Sequence, residues 1–572
     1  MEKLTKEQIL KSLELFSQVK THRFFYKASG FTDQELDRPL IVIANSMQDA
    51  GIGHVHLKAL ADAVKAGIYL AGGTPVEFNT IGPCGGYCKD GSLDPTLLLY
   101  DLPQRDAIAD SVEIQVKNLG ADGLVMMGTC DKSVPGLWLA GARLNLPTIF
   151  YTGGPAEPGM FEGKPTTFPT DVILEGVNRT LAGKMDEEEF RRTMYSMEDK
   201  WVTSCGACPE LTTANTVQMA TEVMGLTLPG VATVSGGNLM HRVRLAKQTG
   251  YAIVELVKQG RRFKDFVTTP AIKDALRLIM AVSGSTNGIL HLLALASTMS
   301  LDVGLETVSE ISDTTPYLVP LRPSGPFTMK DLHNAGGPLA VLKRIQRDVA
   351  VDRPTVTGET IGDRLAAVSV RNDRVILPAE QAISPFGGIV VMRGNLAPNG
   401  ALARYTIVKK ENRFFTGTAK CFDEEQFALF AILNGDIVSG DVIVLRYQGP
   451  RGGPGFAENF RTVLILGSLG LHDVAVITDS RFSGATTGAL YVGYISPEAQ
   501  TGGPIAAVRD GDRITIDVEK REVSVDLTET EIRQRLAAWK PPEAKIKEGV
   551  LVQWYLSAGQ FETGAMLPRR LP

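Results

Sequence analysis

The chain has 572 residues and a mass of 61.7 kDa, too long for one hydrophobic core, so two or three domains are expected. Hydrophobic residues at 44 % and charged residues at 22 % exclude wholesale disorder, and a net charge of −5 excludes a chain built to neutralise nucleic-acid phosphates. No apolar run reaches the ~18 residues of a membrane-spanning helix, and the first residues mix acids with bases, so neither a signal nor a transit peptide is read there. The expectation is a cytoplasmic protein with no membrane or nucleic-acid partner.

From the N-terminus, Leu4, Ile9, Leu10 and Leu13 recur at helical spacing. Residues 39–45 (PLIVIAN) predict a buried strand, 57–71 a helix ending at Gly72-Gly73, 75–80 a strand, and 104–119 a helix stopped by Gly120. Residues 123–127 (GLVMM) and 147–151 (PTIFY) are further buried strands, and 212–224 and 263–298 are mostly helical. Nearly all-apolar strands alternating with helices predict an α/β fold with a doubly wound parallel sheet over residues 1–365. After about residue 350 the texture becomes β-rich. Strands are expected at 375–377, 388–392, 403–409, 441–447, 473–478 and 513–525, the last of these folded as a hairpin. Helices are expected at 424–433, 459–466 and 529–539, and residues 366–572 read as a barrel-like second domain.

Nucleotide signatures fail. The loop Gly159 to Lys164 has one residue too few between its glycines, and Pro165 stands where a magnesium-binding hydroxyl belongs. No Gly-x-Ser-x-Gly elbow supports a hydrolase. His54 and His56 form a pair that more often serves a loop or core than a metal. Cys130-Asp131-Lys132 directly follows the strand 123–127, the place where ligands bind an open α/β sheet. Sulfur there suits iron, and carboxylate suits magnesium. Five of the six cysteines (Cys84, Cys88, Cys130, Cys205, Cys208) fall within residues 84–208, with only Cys421 outside, which suggests a metal or cluster site. Glu458 follows the Gly/Pro loop at 452–455, and Ser483-Gly484 follows the strand 473–478.

These motifs together resemble the dihydroxy-acid dehydratase / phosphogluconate dehydratase family. The resemblance rests on Cys130-Asp131-Lys132 with Pro135-Gly136, Cys208 ahead of Thr213-Ala214-Asn215, Ser285-Thr286-Asn287, Gly394-Asn395-Leu396-Ala397-Pro398 and Ser483-Gly484-Ala485. It runs from Ala44-Asn45-Ser46 to about residue 515. The runs Gly53 to Leu57, Leu290 to Ala294 and Pro323 to Gly325 resemble the branched-chain dihydroxy-acid branch. Sugar-acid dehydratases acting on gluconate, xylonate or arabinonate are the alternative.

The resemblance implies a hydro-lyase that turns a 2,3-dihydroxy carboxylate into a 2-keto acid. It assigns Cys130 and Cys208 to an iron–sulfur cluster, with Cys88 preferred over Cys84 as a third ligand. Mg²⁺ would be held by Asp90, Asp131, Glu458 and a carbamylated Lys132, and Ser483 would be the alkoxide base. Members with a [2Fe–2S] cluster carry a cysteine where this chain reads Ala50 to His54, so a [4Fe–4S] form is expected. The site would lie between the domains of a homodimer or homotetramer. A rival of another class is a non-catalytic relative holding zinc on Cys84, Cys88, Cys205 and Cys208.

Overall fold

Four strands open the fold: β1 (Leu40–Asn45), β2 (Thr74–Asn79), β3 (Gly123–Gly128) and β4 (Thr148–Thr152), all parallel in the order β2-β1-β3-β4. The structure, a computed structural model, describes residues 4–569 apart from 20, 87–95, 162, 167–172, 174–175, 178, 181, 407–412 and 484–488. β1, β3 and β4 are buried along their whole length, because helices cover both faces and the strands have no polar side to show. The expected helices are present as Leu57–Leu70, Pro103–Leu119 and Thr213–Val223. Gly120 ends the second of these with a left-handed φ of 69°, a conformation glycine reaches without steric cost. The run 263–298 divides into Phe263–Phe266, Thr269–Val282 and Thr286–Met299, the break between the last two falling at Ser283-Gly284-Ser285.

Eight strands form the second sheet: β5 (Ile389–Met392), β6 (Gly400–Arg404), β7 (Phe414–Phe422), β8 (Asp441–Leu445), β9 (Ala475–Thr478), β10 (Leu490–Ser496), β11 (Arg513–Asp517) and β12 (Glu522–Val525). The order is β12-β11-β7-β8-β9-β10-β6-β5, with the four central strands parallel and the outer pairs antiparallel. The first and last strands meet where Arg393 N–H donates to the Arg521 carbonyl at 2.8 Å and Val523 N–H to the Arg393 carbonyl at 2.7 Å. The sheet thereby curls into the expected barrel, which leaves little free edge.

Residues 375–377 are not a strand. They form a turn whose Val375 and Ile376 are buried against helical neighbours. β7 and β10 were not legible in the sequence pattern. β7 carries Gly417 and Lys420 within it, and β10 breaks its ladder near Gly493, where Tyr494 has a φ of 60°. Trp554, Phe561 and Leu567, near the C-terminus, pack into the core of the parallel-sheet part. Arg105 holds this tail through the carbonyls of Gly564 and Ala565, at 2.9 and 2.8 Å.

Helices Leu57–Leu70 and Leu239–Gln259 cross at two glycines. A Cβ on Gly67 would lie 2.2 Å from the Lys247 carbonyl oxygen, and one on Gly250 would lie 2.4 Å from that of Val64. Neither obstacle is a flexible side chain, so the helices would have to separate. Gly67→Ala is therefore expected to destabilise the parallel-sheet part by about 1–3 kcal/mol, read as a lower thermal unfolding midpoint with unchanged far-UV circular dichroism.

Candidate metal and active centre

The first group of site residues is built on sulfur. β3 ends at Gly128, and the next turn carries Cys130, 4 % exposed, above the strand ends. Its N–H donates to His54 Nε2 at 3.3 Å, and that ring nitrogen also lies 3.3 Å from Ser133 Oγ. Burial pushes His54 down to about 3, so the imidazole is neutral and can accept. His56 is also pushed down by burial, to about 4, and its Nε2 meets the Gly153 carbonyl at 3.0 Å. The histidine pair therefore shapes the loops around the site. Cys208 precedes helix Thr213–Val223 and is fixed by Asn215, whose Nδ2 donates to the carbonyls of Cys208 and Glu210, both at 2.6 Å.

Cys84 comes from the segment after β2. It lines one cavity of about 80 Å³ together with Cys130, Cys208, Ile52, Trp201 and Ser483. A hydrogen bond with Cys84, then burial and the nearby thiols and Asp131, raise the Cys130 pKa well above the usual thiol range. Burial first, then Cys84 and Glu210, push Cys208 up to about 12. Three thiols thus share one space, and two of them, Cys130 and Cys208, do not ionise readily until positive charge arrives. The Cα of Gly53 also faces this group, since a Cβ there would lie 2.8 Å from Cys130 Sγ. Cys205 points elsewhere, its Sγ 3.8 Å from the Gly236 carbonyl. Cys88 lies outside the described residues.

Next to the thiols lies an acidic group. Ligand oxygens of Asp101, Asp131 and Glu458 fall within 4.8 Å of one another. Lys132 Nζ is fully buried between two of them, 2.8 Å from Asp101 Oδ2 and 2.6 Å from Asp131 Oδ2. Arg481, also fully buried, reaches Asp101 through Nη2 and Glu458 through Nη1, each at 2.6 Å. Burial lowers the pKa of both cations, but the carboxylates outweigh it and leave both raised. Asn287, at the start of helix Thr286–Met299, donates to Glu458 Oε1 at 2.7 Å, while its Oδ1 accepts from Arg481 at 3.1 Å and from the Tyr494 hydroxyl at 2.8 Å.

Sequence reasoning assigned an acidic role to Asp131 and Glu458, and the structure brings them together with Lys132. It missed Asp101. That residue sits in Tyr100-Asp101-Leu102-Pro103, where an aspartate beside a proline-led helix start is the ordinary composition of a helix N-terminus. Asp90, Gly484 and Ala485 lie outside the described residues.

The barrel contributes its share from the ends of β8 and β9. The Gly/Pro loop after β8 is anchored by two buried carboxyls. Glu498 accepts from Gly452 N–H at 2.8 Å and Arg451 N–H at 3.0 Å, and Asp479 accepts from Tyr447, Gln448 and Ala499 N–H groups at 3.2, 3.0 and 2.8 Å. The loop then delivers Glu458, which bridges to Arg481 in the segment after β9. Ser483 follows two residues later on the thiol side.

Known proteins match the chain over nearly its whole length. Residues 38–364 match the family model described as dihydroxy-acid/6-phosphogluconate dehydratase N-terminal, and residues 374–565 match its C-terminal counterpart. A protein of Pyrococcus furiosus named dihydroxy-acid dehydratase is 44 % identical over 551 residues, covering 96 % of this chain and 97 % of its own. Proteins of the same name from Caldanaerobacter subterraneus subsp. tengcongensis and Ignicoccus hospitalis are 44 % and 43 % identical, over 95 % and 96 % of this chain and 96 % and 97 % of their own.

The loop that carries Glu458 has a pH signature. Burial, then the neighbouring Asp479, pushes Glu498 up to about 7, and burial pushes Asp479 up to about 6. A carboxyl raised in the folded state holds its proton there at a pH where the unfolded chain has released it, so its contribution to stability is lost as pH rises through the folded value. The barrel is expected to unfold at a higher temperature at pH 5 than at pH 7.5. Glu498→Gln should flatten that difference, as scanning calorimetry at the two pH values would show.

Proposed function

Because this chain belongs to the dihydroxy-acid/6-phosphogluconate dehydratase family, we propose that it removes water from a 2,3-dihydroxy carboxylate to form a 2-keto acid, with a branched 2,3-dihydroxy acid of the dihydroxyisovalerate type as substrate. The observation that carries this reading is the adjacency of a three-thiol cavity to a buried oxygen-donor group, with Asp131 and Ser483 lining the thiol cavity itself. The substrate class also comes from the names of the relatives, and it would place the chain in branched-chain amino acid synthesis.

The donor sets fit the two cofactors of this reading. Cys84, Cys130 and Cys208 would hold an iron–sulfur cluster, with the [4Fe–4S] form favoured. Three protein thiols leave one iron open, as a catalytic metal needs. Asp101, Asp131, Glu458 and a carbamylated Lys132 would hold Mg²⁺. Three carboxylates against Lys132 and Arg481 leave one net negative charge. Carbamylation would raise that to three, and a divalent cation would return it to one. Once bound, the cluster supplies a Lewis acid for a hydroxide leaving group, and Mg²⁺ neutralises the carboxylate beside which negative charge develops.

The chain's own groups do the rest. Ser483 Oγ, as alkoxide, takes the proton from C2, and the C3–O bond breaks with loss of hydroxide. The departing hydroxide takes up the proton held by Ser483 Oγ, which restores the alkoxide and releases one water, and the resulting enol tautomerises to the keto acid. Serine is a weak base unless its oxyanion is stabilised, and the position of Ser483 at the edge of both donor sets supports that role. Arg481, from the barrel's own segment after β9, and Asn287, from the parallel-sheet side, fix the Glu458 carboxylate, while Trp201 and Ile52 wall the thiol cavity from water. The exposed apolar face of helix Lys6–Gln18, with Leu10, Leu13 and Phe16 more than half exposed, supports assembly into a homodimer or homotetramer. Among the described residues no helix is long and apolar enough to cross a membrane, in keeping with a cytoplasmic site of action.

The test is turnover of dihydroxyisovalerate by protein purified without oxygen, set against gluconate, xylonate and arabinonate. Preference for an aldonate would overturn the substrate assignment. Ser483→Ala is expected to lower kcat by about 10²–10⁴ with iron and magnesium contents unchanged, and full turnover in that variant would remove Ser483 as the base. Cys84→Ala should lose iron and sulfide while Cys205→Ala keeps both; the reverse would reassign the third ligand. Asp101→Asn should weaken Mg²⁺ retention measured by metal analysis, without loss of iron. Zinc in place of iron and sulfide would favour a non-catalytic metal-binding relative.

A further inference from the structure

A second cavity, of about 200 Å³, opens on the barrel side and shares no lining residue with the thiol cavity. Its apolar wall comes from Leu98, Leu99, Ala457 and Ile546. Its polar end is unusual, because two helices begin there. Helix Glu425–Leu433 presents its first turn, and helix Arg461–Ser468 begins with the lining residue Arg461. The partial positive charge of a helix N-terminus attracts anions, and here two such ends meet at one cavity.

Side-chain donors point the same way. Asn459 is 2 % exposed, and its buried Nδ2 has no hydrogen-bond partner among the described residues. The same holds for Arg461 Nη2. A buried donor left unpaired is costly, so two at one cavity mark a place suited to an acceptor. Lys545 adds a third donor and a second cation, its Nζ donating to the Asp423 carbonyl at 3.0 Å.

The acids in the lining are already engaged. Glu425 Oε1 accepts from Thr462 N–H at 3.1 Å and from its hydroxyl at 3.2 Å, and burial raises the Glu425 pKa. Glu424 Oε2 accepts from Gln426 Nε2 at 2.8 Å. A planar amide and a planar guanidinium beside a short apolar wall match a carboxylate with a small aliphatic tail. A phosphate dianion has no aliphatic part and would leave the apolar wall empty.

We propose that this cavity is a second ligand site, for a small aliphatic monocarboxylate, separate from the dehydratase centre. It is built on the same segment as that centre. Asn459 directly follows Glu458 and donates its N–H to the Arg481 carbonyl at 2.9 Å. A ligand here touches the stretch that delivers a metal-site acid without entering the reaction cavity.

The test is calorimetric titration of the full chain with isovalerate, and with uncharged isovaleramide as control, so the readout is binding and does not depend on catalysis. Isovalerate should bind and isovaleramide should not. Arg461→Gln is expected to weaken binding at least about tenfold, since it removes a charge-assisted donor pair. Ile546→Trp should abolish binding by filling the cavity. Asn459→Leu, which removes the orphan amide at similar volume, gives an independent loss should the tryptophan variant misfold. Absence of isovalerate binding, equal binding of the amide, or binding unchanged in folded Arg461→Gln and Asn459→Leu proteins would overturn the proposal.

Discussion

Arg481 is a guanidinium with no access to water, and its two ends hold acids from different parts of the chain. Asp101 arrives from the parallel-sheet part and Glu458 from the barrel. Burying a charge is costly unless it is matched, and breaking such a pair leaves the remaining charge stranded, typically at about 3–5 kcal/mol. The two parts of the chain must therefore meet in one geometry for this network to close. Lys132 extends the same logic, since its ammonium is tolerable at zero exposure only because Asp101 and Asp131 flank it. The acidic centre and the domain interface are held by one set of ion pairs.

Both parts place their site residues by the same device. In the parallel sheet, β1 lies centrally, and the chain crosses to β2 on one side and to β3 on the other. The crevice above β1 and β3 is where the strand order reverses, and Cys130, Asp131 and Lys132 leave from the end of β3. In the barrel, the loops after the parallel strands β8 and β9 carry Glu458 and Ser483. Loops at strand ends are free to carry polar side chains because the strands beneath them are fully buried and supply the packing.

Local pattern carried much of the way to this arrangement. The strands 39–45 and 123–127 and their helices were legible because fully buried strands are apolar runs bounded by turns. Cys130-Asp131-Lys132 was legible because position after a strand gave three adjacent polar residues a meaning. β7 was not, because Gly417 and Lys420 dilute its apolar alternation, yet its backbone hydrogen bonds pair it with two neighbours. For the third thiol the sequence favoured Cys88, two residues from Asp90, over Cys84, and Cys88 lies outside the described residues. Only the path of the segment after β2, pressed against the Ser46 carbonyl at Gly82, brings the Cys84 thiol to Cys130 and Cys208.

The amino-acid sequence alone determined the α/β and barrel classes, the family and most of the chemically active residue types, since these follow from periodicity and from side-chain chemistry carried by single residues or short motifs. The tertiary structure decided that, among the described residues, Asp101 stands with Asp131 and Glu458, that Cys84 shares a cavity with Cys130 and Cys208, and that Asn459 and Arg461 bring unpaired donors to another. Each of these depends on residues distant in the chain sharing one small space, and on burial, which makes an unpaired charge or donor costly only after the chain has folded.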